Sequence, residues 1–99
     1  MNNLFLVGRL TNVEEVEKEG KKYTIITIAN QRSYKNMNGE YEVDFIPITL
    51  YSYLASSTIE YCRKGDLIGI KGRVQGKNNI EIIADKITFL SNKKSENNE

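Results

Sequence analysis

The sequence lacks the residue types on which much protein chemistry depends. It contains no histidine, which removes the commonest general base and the commonest metal ligand. Its one cysteine, Cys62, has no second cysteine with which to form an internal disulfide or a thiolate metal site. The acidic run at 14–19 is best read as a solvated strand-to-strand connection, with no partner set for acid–base work. We therefore expect no catalytic residues, no metal and no cofactor.

Long apolar runs and a strong charge imbalance are also absent. No segment approaches the roughly 20 apolar residues that a membrane helix needs. The start, MNNLFLVGRLT, has neither a basic leader nor a small-residue cleavage site. We therefore expect a cytoplasmic protein without a membrane partner. The net charge of +1 neither demands nor excludes a nucleic-acid partner, because the positions of the charges decide that question.

The residues that are present indicate one small domain with a modest core. The chain has 99 residues, of which 39% are hydrophobic. Five segments carry the β-branched and aromatic residues typical of strands: residues 3–11, 22–30, 41–51, 66–75 and 80–90. Turn signals separate them, including the Asn-Gly pair of NMNGE and the short GKNN, which predicts a close hairpin. The polar residues 91–99 are expected to be a disordered tail.

The segment between the third and fourth strands has helical rather than strand spacing, with apolar residues at Leu54, Ala55, Ile59 and Cys62. Suitable end signals flank it: Ser52 as N-cap, Arg63 and Lys64 in the last turn, and Gly65 as the stop. The order strand, strand, strand, helix, strand, strand predicts an all-β fold over residues 1–90, a five-stranded OB-fold barrel with one helix between strands 3 and 4. An SH3-like barrel, which lacks the long helix, is the main alternative.

The third strand is apolar on both faces. Strand alternation directs Ile46, Ile48 and Leu50 to one side, and Phe45 and Tyr51 to the other. Pro47, without an N–H, suits an edge or a bulge. The other residues predicted to face the core are Ile26, Ile28, Ile68, Ile70 and Val74, with Gly72 at a bend. Outward rings with cations nearby are typical of a groove that stacks bases and neutralises phosphates. Such a face is more often covered by a partner subunit or a loop, so both interpretations stay open.

The order of these motifs resembles that of bacterial single-stranded DNA-binding proteins. The resemblance covers residues 1 to about 90 and rests on three blocks: NNLFLVGRLT, DFIPITLYSYLASSTIEYCRKGDLIGIKGRVQ and IEIIADKITFL. It implies sequence-independent, non-enzymatic binding of single-stranded DNA in replication, recombination or repair, by base stacking and phosphate neutralisation. It also implies a homo-oligomer, dimer or tetramer, with contacts through the first strand and the outer sheet faces.

The resemblance also implies which residues contact nucleic acid. It places Tyr34, in the loop after the second strand, with Phe45 and Tyr51 at positions where the family stacks bases. Basic residues close to these rings are taken as phosphate contacts: Arg9, Arg32, Lys35, Lys71 and Arg73. Lys77 is added as the cation that remains where the family has a long hairpin.

The chain departs from the family pattern in three ways. GKNN replaces a long hairpin between strands 4 and 5, the end KSENNE lacks the acidic, apolar tip that recruits other proteins, and there is no tryptophan. These departures imply a reduced binding track and make tail-mediated recruitment doubtful. An alternative function is a primosome-type OB-fold protein-interaction module, whose partner would dock on the face that carries Phe45 and Tyr51.

Overall fold

The computed structural model describes residues 1–91, except for the side chains at positions 52, 53, 59 and 91. From residue 92 onward, the predicted tail lies outside the described residues. The elements are β1 (Leu4–Lys18), β2 (Lys21–Lys35), β3 (Tyr41–Leu50), α1 (Ser52–Tyr61), β4 (Leu67–Gln75) and β5 (Glu81–Ser91). This is the predicted order. No helix in the described part of the chain is long and apolar enough to cross a membrane.

The strands close into a barrel in the order β1-β2-β3-β5-β4, which confirms the predicted OB-fold architecture. The first strand closes the barrel because it pairs with two other strands, β4 and β2. Its first part, from Leu4 to Arg9, pairs with β4, and from Arg9 onward it pairs with β2. The register with β2 shifts between Leu10 and Asn12, and a shift of this kind bends a strand. Because β1 extends to Lys18, the acidic run at 14–19 lies mostly within this strand, not in a connection as predicted.

The core fills the barrel as the alternation of the strands predicts. Its buried hydrophobic side chains include Leu10, Ile26, Ile28, Ile48, Leu50, Ile68, Ile70 and Ile83. Ile46 is half-buried and packs against them. Val74 was predicted to be buried and is 38% exposed, because β1 pairs with β4 only as far as Gly72. Beyond that point the side-chain amide of Asn2 bonds to both backbone groups of Val74.

Two details of the third and fourth strands agree with their sequence signals. Pro47 pairs with Thr27 of β2, while the pairing of β3 with β5 falls at Thr49. At Pro47, β3 is thus paired with β2 but not with β5, and a missing N–H is tolerated at such an edge position. Gly72 lies where the β4–β5 register shifts, and a Cβ there would be 2.2 Å from the backbone oxygen of Ile83. Only glycine allows this close crossing of two strands.

The ends of the helix differ from the predicted ones. Tyr51, not Ser52, is the N-cap, and it makes no side-chain capping bond. The helix ends at Tyr61, so no basic residue lies in its last turn. The Arg63 backbone N–H donates to the buried carboxylate of Asp66 at 2.8 Å, which holds the chain in a turn instead of a further helical turn.

Cys62 packs into the core, as predicted for the apolar side of the helix. Burial raises the pKa of its thiol to about 11, with Asp66 adding to the shift. A thiol with so high a pKa stays protonated near neutral pH and is a poor nucleophile.

Candidate nucleic-acid interface

The outer face of β2 and β3 brings together aromatic, aliphatic and basic side chains. Their register opposes Ala29 to Phe45, Gln31 to Val43, and Lys35 to Tyr41. Ala29 is also the partner of Arg9 on β1, which in turn pairs with Leu67 on β4. One row of side chains therefore crosses four strands and runs from Leu67 to Phe45. We call this surface the four-strand face.

Phe45 is the most prominent ring of the four-strand face. Its side chain is 65% exposed although it sits in the middle of a paired strand. Tyr41 and Val43 are exposed on the same side of β3, because alternate residues share a face. They were not among the predicted site residues, although the alternation that identified Phe45 applies equally to them.

A shallow groove runs beside Phe45 across the four-strand face. It is lined by Val7, Gly8, Arg9, Ala29, Gln31, Val43 and Leu67. Gly8 lets β1 and β2 approach closely beside this groove, because a Cβ there would be 2.6 Å from the backbone oxygen of Ala29. An apolar floor with a guanidinium and an amide at its edge suits a flat ring that carries polar substituents.

The other two predicted rings lie on either side of this region. Tyr34 is exposed within β2, not in a loop, at the place where the register with β3 shifts between Gln31 and Lys35. Tyr51 follows β3, and its ring centroid lies 5.8 Å from that of Tyr23 at an interplanar angle of 51°. One side of the Tyr51 ring is thus covered by Tyr23, and its other parts remain accessible.

Two of the predicted phosphate contacts are already engaged by carboxylates. Arg32 forms a fork with Asp44, in which Nε and Nη2 each lie 3.0 Å from a carboxylate oxygen, and its Nη1 lies 2.6 Å from Oε2 of Glu42. The hydrogen bonds with Asp44 raise the pKa of Arg32 and lower that of Asp44. Because Asp44 alternates with Phe45 on β3, this cluster lies on the opposite side of the hairpin from the exposed ring. Arg73 is likewise paired with Asp85.

The remaining cations fall into two regions. Arg9 and Lys35 belong to the four-strand face: Nη1 of Arg9 donates to the Gly65 carbonyl at 2.9 Å, and Nζ of Lys35 lies 5.7 Å from the Tyr41 ring centroid. Lys71 is exposed on β4, and Lys77 is exposed in the connection at 76–80. That connection is as short as predicted. The structure thus groups Phe45 with Arg9 and Lys35, and it places Lys71, Arg73 and Lys77 on the β4–β5 side.

A second cleft separates the tip of the β1–β2 hairpin from the helix. Its lining includes Glu15, Glu17, Lys22, Tyr23, Thr24, Ala55 and Ser56. Two carboxylates against one lysine repel a polyanion, so this cleft is a poor path for phosphates. The four-strand face is the better candidate for contact with nucleic acid.

Comparisons with known proteins show the family of the chain and relatives of its fold. The model of the single-strand binding protein family matches residues 1–90. Single-stranded DNA-binding protein 1 of Clostridium acetobutylicum is 35% identical, over 95% of this chain and 97% of its own. Single-stranded DNA-binding protein B of Bacillus subtilis is 36% identical, over 96% and 95%. A mitochondrial single-stranded DNA-binding protein from S. cerevisiae shares the fold, with a TM-score of 0.74 at 21% identity over 92% of this chain and 95% of its own.

Proposed function

Because the chain belongs to the single-strand binding protein family, we propose that it binds single-stranded DNA on the four-strand face, by stacking and phosphate neutralisation. The observation that carries the proposal is the exposed ring of Phe45, held on a paired strand in one row with Ala29 and Arg9. An aromatic ring of this kind offers a flat surface to any base, and each stacked base contributes about 1–3 kcal/mol. The binding is therefore independent of sequence and needs no catalytic group.

The arrangement of charges supports a weak dependence on salt. The ion pairs of Arg32 and Arg73 occupy two of the six predicted phosphate contacts. The other four predicted contacts, Arg9, Lys35, Lys71 and Lys77, are all exposed at the surface. Each phosphate neutralised on a single strand contributes about −0.7 to the slope of log K against log salt concentration. Four contacts give a slope of about −3, whereas six would give about −4.

Fluorescence anisotropy with labelled oligo-dT, measured across a range of salt concentrations, tests both points. We expect binding to oligo-dT that is much tighter than binding to a duplex of the same length, with a slope close to −3. Equal affinity for the duplex and the single strand, or no binding to either, would contradict the proposal.

We further propose that copies of the chain associate through the outer face of β1. Val7 is exposed there, opposite Gly69 of β4, and the Leu90 side chain lies over Gly69 and is itself exposed. An apolar patch of this kind favours burial against a second copy. Sedimentation analysis of Val7→Asp should give a smaller mass than that of the unmodified protein. We also propose a cytoplasmic location and a role in replication, recombination or repair, processes that expose single strands in bacteria.

A further inference from the structure

We propose that the cleft between the tip of the β1–β2 hairpin and α1 is a docking site for a lysine or arginine side chain of a partner protein. Glu15 and Thr24 hold the positive group, and Tyr23 and Ala55 cover its hydrocarbon stem. The cleft has a volume of about 580 Å³, within the range of about 300–1,000 Å³ typical of ligand sites. The inference goes beyond the proposed function, because none of the described residues that line this cleft belongs to the four-strand face.

The cleft lies where the inner face of the hairpin continues beyond the barrel. Alternate residues share this face in three opposed pairs: Val13 with Ile26, Glu15 with Thr24, and Glu17 with Lys22. Ile26 is fully buried in the core, and Thr24 is only 4% exposed. Towards the tip, the same face carries charged side chains, with Ala55 and Ser56 of α1 on the other side of the cleft. The apolar core thus gives way to a polar cleft that is open to solvent.

The hydroxyl of Thr24 is available to a ligand in the cleft. Thr24 is more than nine-tenths buried and lines the cleft, yet its side chain makes no hydrogen bond to the described residues. Buried polar side chains usually have a hydrogen-bond partner, because a polar group without one costs free energy. Valine has nearly the same shape and suits a strand equally well, without a hydroxyl that needs a partner. Folding therefore does not account for the hydroxyl at this position.

The charges of the cleft favour a cation as its occupant. Glu15, Glu17 and Lys22 line it, and none of the three has an ion-pair partner among the described residues. Lys22 lies directly opposite Glu17 and offsets that charge, whereas Glu15 lies opposite the uncharged Thr24. A positive group that enters the cleft is therefore attracted by Glu15 and can donate a hydrogen bond to the Thr24 hydroxyl.

The rest of the lining favours a protein side chain over a metal ion. Tyr23 and Ala55 place apolar surface beside the carboxylate, and lysine and arginine side chains carry a hydrocarbon stem that such a surface covers. A hydrated metal ion has no such stem. No group of three or more carboxylate or thiol ligands in the described part of the chain could hold a metal ion. The cleft thus matches a long basic side chain in both charge and shape.

Two adjacent glutamates of β1 provide a matched pair of variants. Glu15→Gln removes the proposed partner of the cation. Glu14→Gln removes the same charge from the opposite face of β1, where Glu14 pairs with Ile25. The probes are an acetylated and amidated peptide, Gly-Leu-Lys-Leu-Gly, and its counterpart with glutamine in place of lysine, so that the lysine side chain carries the only charge. Each peptide is titrated into ¹⁵N-labelled protein, and the amide signals are followed by NMR.

We expect the lysine peptide to shift the amide signals of the cleft, at residues 15–17, 22–24 and 55–56. It should bind more tightly than the glutamine peptide. Glu15→Gln should raise the Kd of the lysine peptide about fivefold, the upper range for an exposed ion pair, and should abolish the preference for lysine. Glu14→Gln should leave this Kd within about 1.5-fold of the unmodified value.

Thr24→Val tests the hydroxyl separately from the charge. The variant should raise the Kd of the lysine peptide about 2- to 12-fold, the range for the loss of one hydrogen bond. Its urea midpoint should be unchanged or higher, because the hydroxyl makes no hydrogen bond to the described residues of the free protein. A lower midpoint would show that the fold itself uses the hydroxyl, which would contradict its assignment to a ligand.

The other outcomes overturn the inference. Equal affinity for the lysine and glutamine peptides would mean that the cleft holds no cation, and equal losses in Glu14→Gln and Glu15→Gln would mean that net charge alone is responsible. Signal shifts confined to the four-strand face would place the peptide there. A lower sedimentation mass of Glu15→Gln would assign the cleft to a contact between copies. None of these results depends on whether the protein binds oligo-dT.

Discussion

Substitution of Phe45 by alanine is the most direct test of the four-strand face. Because 65% of the side chain is exposed, its removal takes away little buried apolar surface. Exposed substitutions usually change the free energy of unfolding by about 0.5 kcal/mol or less. The loss of one stacked base should instead weaken binding by about 1–3 kcal/mol, which raises the Kd about 5- to 150-fold.

The assay is anisotropy of labelled oligo-dT at one fixed salt concentration, followed by a salt titration. Phe45→Ala removes no charge, so the salt slope should keep its unmodified value while the Kd rises. Tyr61→Ala is the matched control. Tyr61 is also 65% exposed, but it lies on α1, with its ring centroid 6.3 Å from that of Phe89 on β5. Its Kd should stay within about twofold of the unmodified value, inside the range of a neutral surface change.

The result that refutes this reasoning is a Phe45→Ala protein that binds oligo-dT as tightly as the unmodified protein. A second informative result is dissociation of an oligomer with little change in the affinity of each subunit. That outcome would favour the protein-interaction module, in which Phe45 docks a partner or a second copy. Loss of affinity at constant sedimentation mass supports stacking.

Two further predictions concern the stability of the barrel. Gly72→Ala places a Cβ 2.2 Å from the backbone oxygen of Ile83, and neither backbone can move without opening the barrel. Overpacking usually costs about 1–3 kcal/mol, so we expect a loss of about 3 kcal/mol or more in urea unfolding; an unchanged midpoint would contradict the close crossing. The ion pair with Arg32 lowers the pKa of Asp44. The pair therefore stabilises the fold at pH values above the unfolded carboxyl pKa of about 3.9. This stabilisation is lost as the pH falls through the lower pKa of the folded state. Urea unfolding between about pH 6 and about pH 2 should therefore show a smaller acid-induced loss for Asp44→Asn than for the unmodified protein, and parallel curves would be inconsistent with the ion pair.

Local patterns were sufficient to predict the fold and which side chains of β3 face outward. The two-residue alternation of β3 separates Ile48 from Phe45 without knowledge of any neighbouring strand, since side chains alternate in every strand. The helical spacing after Tyr51 and the turn signals then order the elements, and the OB-fold follows from that order. These signals arise within a few consecutive residues, so the amino-acid sequence alone contains them.

Cross-strand relations required the tertiary structure. The fork between Arg32 and Asp44, the contact of Tyr51 with Tyr23, and the opposition of Lys71 to Lys86 all depend on register. Register is set by irregularities and by closure of the barrel, which involve segments far apart in the chain, and a shift of one residue reverses every side chain. The resemblance to the family therefore treated Arg32 and Lys71 as equivalent cations, whereas the folded barrel pairs the first with carboxylates and places the second opposite another lysine.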